Sequence, residues 1–110
     1  MSAVETSVHD RIATITMNVG PANALGEELK AGLAGALDEA EEARARVLVL
    51  TASVPGYFAA GADLKLLGAV DRAGFEQYLD GLRVVIERVA AVPQLSIAVI
   101  DGYALGGGLE

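Results

Sequence analysis

Two uninterrupted apolar runs, Val47-Leu48-Val49-Leu50 and Ile97-Ala98-Val99-Ile100, constrain this chain more than any other feature. A strand with one wet face alternates polar and apolar residues, whereas a continuous run belongs to a parallel sheet buried on both faces. Between the two runs, Phe75, Leu79, Leu82, Ile86 and Val89 recur at helical spacing. Arg83 and Glu87 fall as a solvent-side i,i+4 pair, and Pro93 ends the helix. Strand, helix and second buried strand predict a right-handed β-α-β crossover and an α/β layer arrangement.

Upstream, Val4, Thr6 and Val8 alternate with Glu5, Ser7 and His9, and alternation resumes from Ile12 to Met17. This predicts a hairpin turning at Asp10-Arg11, a less favoured tight turn than Asp-Gly. Asn18 to Asn23 reads as a loop. Leu25, Leu29, Leu33, Leu37 and Ala40 then mark one helical face, with Glu27, Lys30, Asp38, Glu41 and Glu42 at the other positions. Gly32 and Gly35 each cost such a helix about 1 kcal/mol relative to Ala, so packing against a sheet must hold it. Ala52 to Ala62 and Asp101 to Glu110 read as irregular loops. Each follows a strand at its carboxyl end, where sheets of this kind collect ligands, and both are therefore expected at one edge of the domain. Without a repeat or linker, the 110 residues read as one domain or part of one.

Composition removes several function classes. Lys and Arg number 8 against 15 Asp and Glu, a net charge of -7 that opposes nucleic acid binding. Absence of Cys excludes disulfides, thiol catalysis and Cys-ligated zinc, and one His leaves little for an imidazole metal site. Neither a basic-then-apolar leader nor an apolar run of about 18 residues occurs, so the expectation is a cytoplasmic unit with no membrane contact and no metal.

The two loops carry the chemistry. Small residues from Phe58 to Leu64 let another molecule approach the backbone, so that peptide groups become the binding surface. Taken alone, Asp63 reads first as the N-cap of a short helix, and Phe58 as core rather than contact. Gly106-Gly107-Gly108 after a buried strand presents free N–H groups at the positive end of a helix dipole, or else forms a close-packed turn. It fits neither the P-loop nor the dinucleotide fingerprint. Glu110 lies about one turn into a helix opening at Gly107, placed to exchange protons with whatever those N–H groups bind, or simply to favour the dipole.

Phe58-Ala59-Ala60-Gly61-Ala62-Asp63-Leu64-Lys65 and Ala98 through Glu110, with Pro21-Ala22-Asn23-Ala24-Leu25 before them, resemble the signature segments of the enoyl-CoA hydratase/isomerase (crotonase) family. The resemblance runs the length of the chain and implies the N-terminal part, residues 1 to 110, of a single crotonase-like ββα-superhelix domain whose members are more than twice as long. It implies that the backbone N–H groups of Ala62 and Gly107 form an oxyanion hole for an acyl-CoA thioester. Glu110 matches the first of two catalytic glutamates, and the second has no counterpart here. Ala22, Ala60, Ala62, Asp63, Leu64, Lys65 and Gly107 match positions lining the CoA thioester, mostly through main chain. No separate cofactor is implied, coenzyme A being part of the substrate, and the full-length assembly is implied to be a homotrimer or hexamer.

The leading expectation is a hydratase adding water to a 2-enoyl-CoA. Alternatives are an isomerase or other enolate chemistry of the family, and a non-catalytic CoA-thioester-binding fragment. A nucleotide-phosphate domain would use the glycines but leave Ala60 to Leu64 unexplained. With one glutamate of the pair, the 110-residue chain by itself is expected to be inactive.

Overall fold

The computed structural model describes residues 2–110. β1 (Val4–His9) and β2 (Ile12–Met17) form the expected antiparallel hairpin, His9 opposite Ile12. Its turn puts Asp10 and Arg11 at φ of 51° and 63°, the doubly left-handed geometry that follows the strand twist. After β3 (Ala24–Leu25), α1 (Glu27–Glu42) leads to β4 (Val47–Ala52). Then come β5 (Tyr57–Ala59), β6 (Gly61–Ala62), α2 (Leu64–Leu67), α3 (Arg72–Ala90), β7 (Leu95–Ala98), β8 (Tyr103–Ala104) and a 3-10 turn at Gly106–Gly108.

The main sheet has four strands in the order β1-β2-β4-β7, and β4 runs parallel to both neighbours. Alternation along β2 sends Ala13, Ile15 and Met17 inward against Leu29, Leu33, Ala36 and Leu37 of α1, and Leu48 of β4 joins them. At Gly32 a Cβ would lie 2.5 Å from Val4 Cγ2, so the missing side chain is what lets α1 settle onto β1. Arg88 of α3 ties the two long helices together, donating to Asp38 at 2.6 Å and to the Ala34 carbonyl at 3.3 Å. α1 ends where Arg44, at φ 55°, turns the chain left-handed; Ala45 and Arg44 N–H then satisfy the Ala40 and Glu41 carbonyls.

Five local expectations change. Leu25 belongs to β3, not to the helix, because α1 starts only after Gly26. Lys30 is buried, its ammonium 2.9 Å from Glu27 and 4.4 Å from the Tyr78 ring centroid. Arg83 meets Asp80 at 3.5 Å, one turn back, rather than Glu87. The stretches expected as loops contain β5, β6 and β8, two of which pair only with each other. Finally, the first apolar run forms a parallel strand, but of the second only Ile97 and Ala98 do, because β7 runs Leu95–Ala98 and leaves Val99 and Ile100 beyond it. β7 lies at the sheet edge with Leu95 and Ile97 exposed, and Val49 and Leu50 of β4 are only half-buried. Among the described residues no helix is long and apolar enough to cross a membrane.

Candidate active site

The two glycine-bearing segments do converge. β5 pairs with β8 in parallel, Tyr103 N–H donating to the Gly56 carbonyl at 2.9 Å and Leu105 N–H to Ala59 at 3.0 Å. That seats the 3-10 turn against β6. Gly61 has φ 89°, and a Cβ on it would lie 2.7 Å from the Leu105 carbonyl and 3.4 Å from the Gly107 nitrogen. At Gly108 a Cβ would run into the Ala59 carbonyl. Only glycine at both places permits this approach, which brings the Gly61-Ala62 backbone beside the Gly107 amide.

Within the turn, Gly108 N–H bonds to the Leu105 carbonyl at 2.8 Å, and Leu109 and Glu110 N–H both bond to Gly106, at 3.0 and 3.3 Å. Gly107 is in the opening turn, where N–H groups precede any intrahelical acceptor. Gly107, Gly108 and Glu110 line an apolar cleft of about 140 Å³ whose walls include Leu25, Phe58, Leu82 and Ile86. A residue with a carboxylate and a glycine of the opening turn thus border an apolar wall, a combination that suits a ligand with a polar group and a hydrocarbon tail.

Asn23 organises the approach to β6. It is fully buried at φ 52°, accepts from Val19 N–H at 2.7 Å and donates to the Phe58 carbonyl at 3.1 Å, while its own carbonyl accepts from Ala60 N–H at 3.3 Å. Ala22 and Ala60 are thus drawn to the same region, and both are half-buried. Ala62 sits in β6, opposite Leu25 of β3. Asp63 caps α2, its Oδ1 accepting from Lys65 N–H at 3.1 Å and Leu66 N–H at 3.3 Å, so its side chain serves the helix. Leu64 and Lys65 are exposed on the first turn of α2 and lie outside the lining of the apolar cleft, as do Ala22, Ala60, Ala62 and Asp63.

Sequence reasoning missed Tyr78, which is 3% exposed on α3. Its hydroxyl accepts from Asp63 N–H at 3.0 Å and donates to the Leu25 carbonyl at 2.5 Å. Burial pushes this hydroxyl above the usual tyrosine range; the Asp63 N–H bond pulls the other way, and the charges of Asp63 and Glu27 add to the rise. A signal was present, since a tyrosine on the apolar face of a helix must find a partner for its hydroxyl.

Comparison with known proteins places the chain in a family. The sequence profile described as enoyl-CoA hydratase/isomerase matches residues 7–110. The bovine (Bos taurus) protein named enoyl-CoA hydratase domain-containing protein 2, mitochondrial, is 44% identical over 101 residues, which cover 90% of this chain and 34% of that protein. The mouse (Mus musculus) methylglutaconyl-CoA hydratase, mitochondrial, is 39% identical over 89 residues, 80% of this chain and 28% of its own length. Among solved structures, the enoyl-CoA hydratase of Thermoplasma volcanium superposes with a TM-score of 0.89 at 30% identity, over 100% of this chain and 44% of that one. The chain thus spans about a third of the curated relatives it matches. Its fold is the crotonase fold, and the chain belongs to the enoyl-CoA hydratase/isomerase family.

Proposed function

We propose that these residues are the N-terminal part of a single crotonase-like domain that hydrates a 2-enoyl-CoA. The observation that carries this reading is the approach of the Gly61-Ala62 backbone to the Gly107 amide, with Glu110 following at the mouth of an apolar cleft. Ala62 and Gly107 N–H would donate to the thioester oxygen, stabilising the negative charge it gains as the enolate forms. Water bonds to C3 through its oxygen and gives up a proton, while C2 gains one; Glu110 accepts the first proton or supplies the second. The second carboxylate of the pair would come from residues beyond these 110. No separate cofactor is needed, since coenzyme A arrives with the substrate. Ala22, Ala60, Asp63, Leu64 and Lys65 would border the thioester through their main chain. A homotrimer or hexamer of the full chain belongs to the same reading, and the exposed apolar side chains on β7 and after it, such as Ile97 and Ile100, would pack against the rest of the domain. A cytoplasmic location belongs to the same reading, and the relatives named as mitochondrial make cell fractionation its test.

Isomerisation is the second reading. Glu110 is the carboxylate lining the cleft, and migration of a double bond needs only one base to carry a proton from C2 to C4. Glu110→Gln in the full chain tests the role common to both. The rate should fall by roughly 100-fold or more while the Kd for the CoA thioester changes little. A pure loss of binding, or an unchanged rate, contradicts a catalytic Glu110.

A further inference from the structure

Tyr78 stands outside the chemistry described above, yet its hydroxyl touches both sides of Ala62. Leu25, whose carbonyl accepts the Tyr78 proton, is the residue paired with Ala62 across β3 and β6. Asp63, whose N–H donates to the Tyr78 oxygen, belongs to the peptide that immediately follows Ala62. β3 and β6 are each two residues long, too short for their own ladder to fix the direction of an amide. One further contact holds the ring: the Lys30 ammonium lies 4.4 Å from its centroid, and that ammonium is itself paired with Glu27 at 2.9 Å. Movement of the ring away from Leu25 and Asp63 would break both hydrogen bonds and the contact with Lys30 together.

We infer that Tyr78 is a positioning residue for the reaction, its hydroxyl bridging Leu25 and Asp63 so that the Ala62 N–H is held in line with the substrate oxygen. The inference rests on the reading of Ala62 as an oxyanion donor. A buried tyrosine that merely fills the core would matter for its ring; here the hydroxyl matters, and its effect is felt at the substrate carbonyl. Donors of this kind act only when aimed beforehand, and misplacement by about an ångström costs on the order of 100-fold in rate.

Tyr78→Phe in the full chain keeps the ring and removes the bridge. Turnover of a 2-enoyl-CoA should fall roughly 10- to 100-fold with KM within about 3-fold. The infrared stretch of an isotope-labelled thioester carbonyl, lowered on binding to the native protein, should move back toward its free value. An unchanged kcat, or a lowered melting temperature with the bound carbonyl frequency unchanged, overturns the inference. Should the variant fail to fold, fluorotyrosine placed at Tyr78 keeps shape and hydroxyl while weakening it as an acceptor; the bound carbonyl frequency must then shift, and constancy overturns the inference. The native protein separates the two levels: no carbonyl shift on binding there defeats the oxyanion reading itself, whereas a native shift that survives loss of the hydroxyl defeats only the role of Tyr78.

Discussion

The side-chain amide of Asn23 donates to the Phe58 carbonyl across 35 positions of sequence, at 3.1 Å, joining the turn after β2 to the strand that leads into Gly61 and Ala62. Its oxygen is equally engaged, accepting from Val19 N–H at 2.7 Å. The Phe58 bond is buried and the Val19 bond partly so, and the backbone of Asn23 lies in the left-handed region that asparagine tolerates better than most residues.

Asn23→Ala therefore leaves buried groups without partners and places a Cβ residue in a strained conformation. The expected loss is about 2–4 kcal/mol, seen as a lower urea midpoint at unchanged slope. Asn23→Gly relieves the backbone strain but not the missing bonds, so it should lose less. Equal stability of both variants and the native protein contradicts this role.

Gly32 and Gly35 look interchangeable in the helical pattern, but the structure gives them opposite signs. A Cβ at Gly32 meets Val4 Cγ2 at 2.5 Å and Val4 Cβ at 2.9 Å, whereas nothing lies within 4 Å of one at Gly35. Gly32→Ala should destabilise by about 1–3 kcal/mol through overpacking, and Gly35→Ala should stabilise by about 0.5–1 kcal/mol through helix propensity. Thermal unfolding of the two variants checks both; a stabilising Gly32→Ala would show that α1 is not seated on Val4.

What the sequence made legible follows from what pattern can record. Long periodic segments, α1, α3 and the β1–β2 hairpin, were readable because each repeats its signal over many residues. Leu25 was drawn into α1 because it stands four residues before Leu29, although the chain is still extended there. Lys30 reads as a solvent residue by type, and only the tertiary pairing with Glu27 and the Tyr78 ring explains its burial. β3, β6 and β8 are too short to show alternation, and their existence depends on partners far away in sequence. β7 was expected to be covered on both faces; as the outermost strand among the described residues it has a neighbour on one side only. Of the site, the glycines and Glu110 were legible as chemistry. Asn23 was not, because a polar side chain buried for its hydrogen bonds leaves no periodic mark; Tyr78 stands on the apolar face of α3 four residues before Leu82, but the spacing does not say which distant groups its hydroxyl meets.

In the proposed reaction the Gly107 amide, not the space at Gly107, meets the substrate oxygen. Gly107→Ala and Gly107→Pro separate the two, since both add a Cβ facing Leu25 Cδ1 at 3.1 Å and Ile86 Cδ1 at 3.4 Å, ends of side chains that can yield, and only proline removes the N–H. The measurement is kcat for hydration of a 2-enoyl-CoA by the two variants of the full chain, each verified as folded. The account predicts a fall of roughly 100- to 1,000-fold for Gly107→Pro, with Gly107→Ala staying within about 10-fold of the native rate. Equal losses in the two variants, or a proline variant that turns over at the native rate, would contradict it.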